Sequence, residues 1–250
     1  MLDVIGSLVL GAISMAVLVV LIGVAEIRLS AKFTAFAVAI AALATIVTVA
    51  AVGGFAPGAV PFPAPVIPFL TLIIAGSVAW LAWPAFRSAV LSVPLVALVG
   101  INGVRVAGVF FLLLHAEGRL AAPFSTSAGW GDIIAGAIAI PLAAQLAWKG
   151  TAPRRLLIAW NATGTLDLFT AVALGALSAA GTPFQVFTEA PGTAAMGTLP
   201  WVLIPSFLVP LFLLTHLAIF VRLRAPYTEE ARTHEASSNL LREVAIRRTA

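Results

Sequence analysis

The feature that most constrains this chain is the recurrence of apolar runs about as long as a bilayer is thick. A helix needs about 20 predominantly apolar residues to cross roughly 30 Å of hydrocarbon. Runs of that kind occupy residues 4–25, 33–53, 65–86, 88–115, 120–148, 155–180 and 198–221. The expected fold is therefore all-α, a polytopic membrane protein built as a bundle of seven transmembrane helices. Only Phe86-Arg87-Ser88 separates the third run from the fourth. Composition agrees: 10% of residues are charged, where soluble domains carry about a quarter.

The loops between the runs decide the expected orientation. Arg28 and Lys32 follow the first run, Arg87 the third, Lys149, Arg154 and Arg155 the fifth, and Arg222 and Arg224 the seventh. Arg119 is the one basic residue in the alternate loops. The positive-inside rule then places the amino terminus outside and the carboxyl terminus in the cytoplasm. Met1-Leu2-Asp3-Val4 has no basic n-region, so the first run reads as a retained span rather than a cleaved signal. The net charge of +4 sits in these short loops, where it sets topology, so nucleic acid is not an expected partner. The expected partner is the lipid bilayer.

Two domains are expected, a transmembrane domain over residues 1–224 and a short polar cytoplasmic tail over 225–250. In the tail, Thr228-Glu229-Glu230 has the form of a helix start, and Leu240, Leu241 and Val244 could make a short apolar stripe on a surface helix. Between the second and third runs, Pro57, Pro61, Pro63 and Pro65 cannot continue a helix. The segment from Gly181 to Gly197 is long enough to form a functional cap. Trp130 and Trp201 near outer ends, with Trp83 and Trp148 near inner ends, fit an interfacial aromatic belt. Small residues four apart (Ser7 and Gly11; Ala35 and Ala39; Ala171, Gly175 and Ala179) let backbones approach closely. They serve packing within the bundle or a homo-oligomer formed through one such helix face.

Absences narrow the chemistry. No cysteine is present, which removes disulfides, thiolate catalysis and thiolate-ligated metals. Lys32 and Lys149 lie in loops, so a retinal Schiff base has no attachment point within the bundle. His115 near the outer end and His216 near the inner end are separated by most of the membrane thickness, and His234 lies in the tail, which makes a bis-histidine haem geometrically poor and a zinc site poorer still. Neither a cofactor nor a metal is expected. No P-loop, G-x-S-x-G or H-E-x-x-H occurs, and no internal repeat supports an inverted-repeat transporter.

The polar residues within the runs are the candidate site. Arg105 lies 13 residues before Gly118 and Asp132 lies 14 after it. In a hairpin turning at Gly118 the two share a depth of roughly 20 Å below the turn at 1.5 Å per residue. Either charge alone costs about 2.5–3.5 kcal/mol at a helix centre, so mutual pairing is the economical arrangement. If Pro123 and Ser125-Thr126-Ser127 interrupt the fifth run, Asp132 falls instead in the first turn of a helix starting near Gly129. Asp167, with Thr163 and Thr170 on its face, reads as a protonatable group or as a second carboxylate sharing Arg105. Asn161 and His216 lie at one depth and can hydrogen-bond, and Asn102 adds a further intramembrane amide. Arg105, Asp132, Asp167, Asn102, Asn161 and His216 are thus candidate substrate- or ion-binding residues, and none has a catalytic role.

Arg105, Gly108 and Phe111, then Gly118, Pro123-Phe124, Ala128-Gly129-Trp130-Gly131-Asp132, and Asn161, Gly164 and Asp167 resemble a family of bacterial multi-pass inner-membrane proteins of about seven spans. The resemblance implies a cytoplasmic membrane and carries no activity. The residues themselves suggest a small transporter or proton-coupled carrier, with Arg105 binding an anionic group or pairing with Asp132. A non-catalytic subunit or sensor acting through partner proteins is the second expectation. A membrane-embedded enzyme acting on lipid or quinone is the third.

Overall fold

The computed structural model describes residues 1–224. Among them the regular structure is helical: α1 (Leu2–Val24), α2 (Leu29–Ala51), α3 (Val66–Ala82), α4 (Pro84–Ser92), α5 (Leu95–Gly100), α6 (Val109–Ala116), α7 (Phe124–Lys149), α8 (Arg154–Leu177) and α9 (Val209–Arg224). A 3-10 segment, Ile101–Gly108, joins α5 to α6, and a π turn, Ile204–Leu208, leads into α9. Six helical stretches are long and apolar enough to cross a membrane, or seven if α3 and α4 are one broken span. The expected tail helix lies outside the described residues, as does His234.

Proline accounts for the main departure from the expected spans. Pro84 has no N–H and drives the residue before it out of the α region. Trp83 is accordingly extended (φ −120°, ψ 94°), and α4 leaves α3 at 103°. Pro94 acts likewise on Val93. Residues 88–92 therefore belong to α4, and the next span begins only at Leu95. Pro123 sits at the start of α7 rather than inside it, so the helix begins at Phe124 and Asp132 lies more than two turns in. Gly150, at φ 69°, closes α7 in the left-handed conformation that glycine adopts without a Cβ penalty.

The two ends of the bundle differ in charge. At one end, Asp3 accepts hydrogen bonds from the Arg119 guanidinium and the Trp201 indole, both at 2.8 Å. The hydrogen bond from Arg119 to Asp3, reinforced by Glu117, holds the guanidinium pKa above its ordinary value. At the other end, basic side chains cap helix carbonyls: Lys32 donates to Gly23, Arg154 to Leu223 and Arg222 to Val93.

Trp201 corrects the aromatic-belt expectation. It is fully buried, packed on Gly6 and on Phe110 at a ring distance of 5.4 Å, whereas Trp83, Trp130 and Trp148 are exposed. The close approach of α1 to its neighbours is made at Gly6. Gly11, in the expected stripe, has nothing within 4 Å of where a Cβ would lie.

The buried interior falls into two apolar clusters. One gathers Leu10, Phe110, Phe124, Leu168, Trp201 and Phe207 toward the Asp3 end; the other gathers Leu98, Val99, Ala139, Leu142, Trp160 and Ile219 toward the basic end. Between them, on each of four spans, stands a polar residue: Arg105, Asp132, Asp167 and His216.

Candidate functional site

Arg105 is placed by the 3-10 segment. An α-helix carries residues three apart to different azimuths, whereas three residues per turn stack them on one face. Asn102, Arg105 and Gly108 are all buried, while Val106 and Val109 are exposed. The tighter winding therefore aims Asn102 and Arg105 together into the bundle. Eight residues is long for such a helix, whose runs rarely exceed three or four, and mid-helix stretches of this kind often mark hinges.

Glycine brings the partners within reach. A Cβ on Gly108 would stand 2.5 Å from the Asp132 Cβ and 2.9 Å from the Gly129 carbonyl oxygen. A Cβ on Gly136 would stand 2.7 Å from the Val106 nitrogen. The seam between the 3-10 segment and α7 is thus backbone against backbone. Gly131 on α7 faces the Asp167 carboxylate so closely that any side chain there would displace it.

Arg105 then meets both acids. Its Nε donates to Asp132 Oδ1 at 2.7 Å and its NH2 group to Asp167 Oδ2 at 2.5 Å. The NH1 group donates to the Gly164 carbonyl at 3.3 Å and reaches His216 Nε2 at 3.2 Å. Four of the five N–H donors of a guanidinium are engaged. Of the two expectations for Arg105, an anionic ligand or pairing with Asp132, the contacts made are with the protein's own carboxylates.

His216 is fixed from both sides. Guanidinium nitrogen only donates, so Nε2 accepts and Nδ1 carries the proton. Nδ1 donates to Asn161 Oδ1 at 2.7 Å, and Asn161 Nδ2 returns a bond to the His216 carbonyl at 3.1 Å. Asn102 stands one 3-10 turn from Arg105, with its amide nitrogen 2.9 Å from the Leu98 carbonyl and 3.4 Å from Thr215. The structure thus brings Arg105, Asp132, Asp167, Asn161 and His216 into one network and sets Asn102 beside it. The sequence reading had no place for the Gly164 carbonyl, Thr215 or the glycine seam. Gly103, Gly108, Gly129, Gly131 and Gly136 flanking the two charges were the available signal.

Arg105 is fully buried, but the Asp132 and Asp167 side chains are 14% and 16% exposed. Asp132 reaches a cavity of about 110 Å³ on the side of the cluster toward the Asp3 end. Its walls are otherwise mostly apolar, with Thr182 and Thr193 as the uncharged polar residues among them, and they include the Phe111 and Phe124 rings, which meet edge to face. Its roof is the proline-rich loop after α2, where Phe55 packs against Gly197, and the π turn contributes Ile204 and Pro205. Among the described residues, no group of three or more His, Asp or Glu side chains could hold a metal ion.

A family described as a domain of unknown function, DUF8737, matches residues 61–224, well over half of the chain. The chain belongs to the DUF8737 family. The matched stretch includes every residue of the Arg105 network; α1 and α2 lie outside it. No curated protein and no solved structure gives a match to this DUF8737 protein.

Proposed function

We propose that this DUF8737 protein is a small proton-coupled carrier of a bacterial cytoplasmic membrane, with its amino terminus outside and its basic end in the cytoplasm. The observation that carries the reading is one guanidinium shared by two carboxylates from separate helices, in a layer between two apolar clusters. With both acids ionised, the trio holds one net negative charge. In a low-dielectric interior that charge is costly, and one proton or one cation neutralises it. Ionisable groups inside a membrane are retained mainly on such pathways. Two non-α segments, one bearing Arg105 and one lining the adjoining cavity, supply elements able to change winding. The basic residues gathered at one end support the orientation.

The reading is tested in pyranine-loaded proteoliposomes. Permanently charged quaternary ammonium ions of increasing chain length, which have no proton to carry across empty liposomes, are added in turn. A substrate-driven change of internal pH is expected with the wild-type chain and its loss with Asp167→Asn and Arg105→Ala. The absence of any protein-dependent signal, or a signal unchanged in both folded variants, rules the reading out.

A further inference from the structure

The cavity beside the cluster has the chemistry of a binding site for one class of molecule. It runs along α8 from Ala176 to Leu168, about 12 Å at 1.5 Å per residue. Its walls are mainly hydrocarbon and aromatic, from Phe111, Phe124 and Val172, with the hydroxyl-bearing Thr182 and Thr193 beyond Ala176, and at its inner end is Asp132, the charged residue of the lining. Leu168, Ala171, Val172, Gly175 and Ala176 give that wall a continuous small and apolar surface along which an alkyl chain can lie.

The charges facing Asp132 decide what the inner end of the ligand must be. Arg105 supplies one positive charge, Asp132 and Asp167 supply two negative ones, and His216, bonded through Nε2 to Arg105, supplies none. The Gly164 carbonyl and Asn161 add neutral dipoles. An anion in the cavity would meet a carboxylate that already lacks a full counter-charge. A neutral chain would bury the walls and leave the imbalance in place. A protonated amine balances it, because one ammonium beside two carboxylates and one guanidinium makes the group neutral. We propose that the cavity binds a linear amphiphilic amine, its ammonium against Asp132 and its alkyl chain along α8 toward the roof. This inference rests on the carrier reading for its consequence, since ammonium and proton would neutralise the same carboxylate pair and displace each other. The binding site itself stands on the cavity and the charges alone.

The experiment is calorimetric titration of the full chain in nanodiscs with octylamine and with 1-octanol, subtracting empty nanodiscs. Octanol has the same chain and a hydrogen-bond donor but no charge. Saturable octylamine binding at least tenfold tighter than octanol is expected. Asp132→Asn should bring the two affinities together, and Ala176→Phe, which fills the passage away from the cluster, should weaken both. Equal affinities in the wild-type chain, or no saturable binding of octylamine, overturn the proposal. Because the octanol comparison is made within the wild-type chain, the outcome does not depend on either variant folding. Tight octylamine binding without proton movement in liposomes supports the site and removes the carrier.

Discussion

Arg105 Nε and Asp132 Oδ1 stand 2.7 Å apart across a seam where two helical backbones touch. Because Asp167 shares the same guanidinium, the three charges are not equivalent to remove. Arg105→Leu strands two carboxylates, and breaking a buried pair from one side costs about 3–5 kcal/mol. Asp132→Asn or Asp167→Asn leaves a one-to-one ion pair and keeps an acceptor in place, so each should cost about 1 kcal/mol. Denaturant unfolding of purified protein should show that asymmetry. Equal losses for all three would argue against a shared guanidinium.

The glycine seam makes a second prediction. Gly108→Ala and Gly136→Ala place a methyl group on backbone atoms that cannot rotate away. Each should cost about 1–3 kcal/mol, as overpacking does elsewhere. Gly11→Ala, with open space around it, should stay within about 0.5 kcal/mol. Gly131→Ala has a more specific effect, because its methyl displaces the Asp167 carboxylate from Arg105. It should therefore abolish any substrate-driven proton movement as thoroughly as Asp167→Asn does. A Gly131→Ala protein with intact coupling would show that the Asp167 contact is dispensable.

Most of the helical spans and the shared level of Arg105 and Asp132 were legible in the sequence because both follow from counting: a helix rises by a fixed step, and a hairpin sets residues equidistant from its turn at one level. Counting does not reach azimuth. The face on which Arg105 lies depends on local winding, and nothing in Ile101–Gly108 announces three residues per turn rather than 3.6. Trp201 was misplaced for a related reason. Its position near the end of a run is common to belt and core tryptophans, and what distinguishes them here is an acid, Asp3, nearly two hundred residues away. The cavity was beyond reach of the sequence, being assembled from two loops, a π turn and residues of five helices.

His216 offers a test of the network that needs no substrate. Between a donor-only guanidinium and the Asn161 side-chain oxygen, the imidazole must be neutral with its proton on Nδ1. Nitrogen-15 spectra of ring-labelled protein at neutral pH should show a protonated Nδ1 and a bare Nε2 for this residue. Asn161→Leu should broaden or shift that signal by removing the partner of Nδ1. A doubly protonated ring, or the Nε2–H tautomer, would mean that Arg105 and His216 are not in contact.

The orientation can be settled with the chain's own lack of cysteine, which lets single thiols be introduced without a background. Glu117, Gly118 and Arg119 lie at the same end as Asp3, while Gly150 closes α7 among Lys149, Arg154 and Arg155 at the other. Lys and Arg are held back on the cytoplasmic side during insertion, and Asp and Glu contribute little, so the basic end should be inside. In intact cells, Gly118→Cys should react with a membrane-impermeant maleimide, and Gly150→Cys should react only after the membrane is permeabilised. The reverse pattern would invert the orientation, and with it the side from which the roofed cavity and Asp132 are approached. Labelling of both positions in intact cells would instead mean a mixture of orientations.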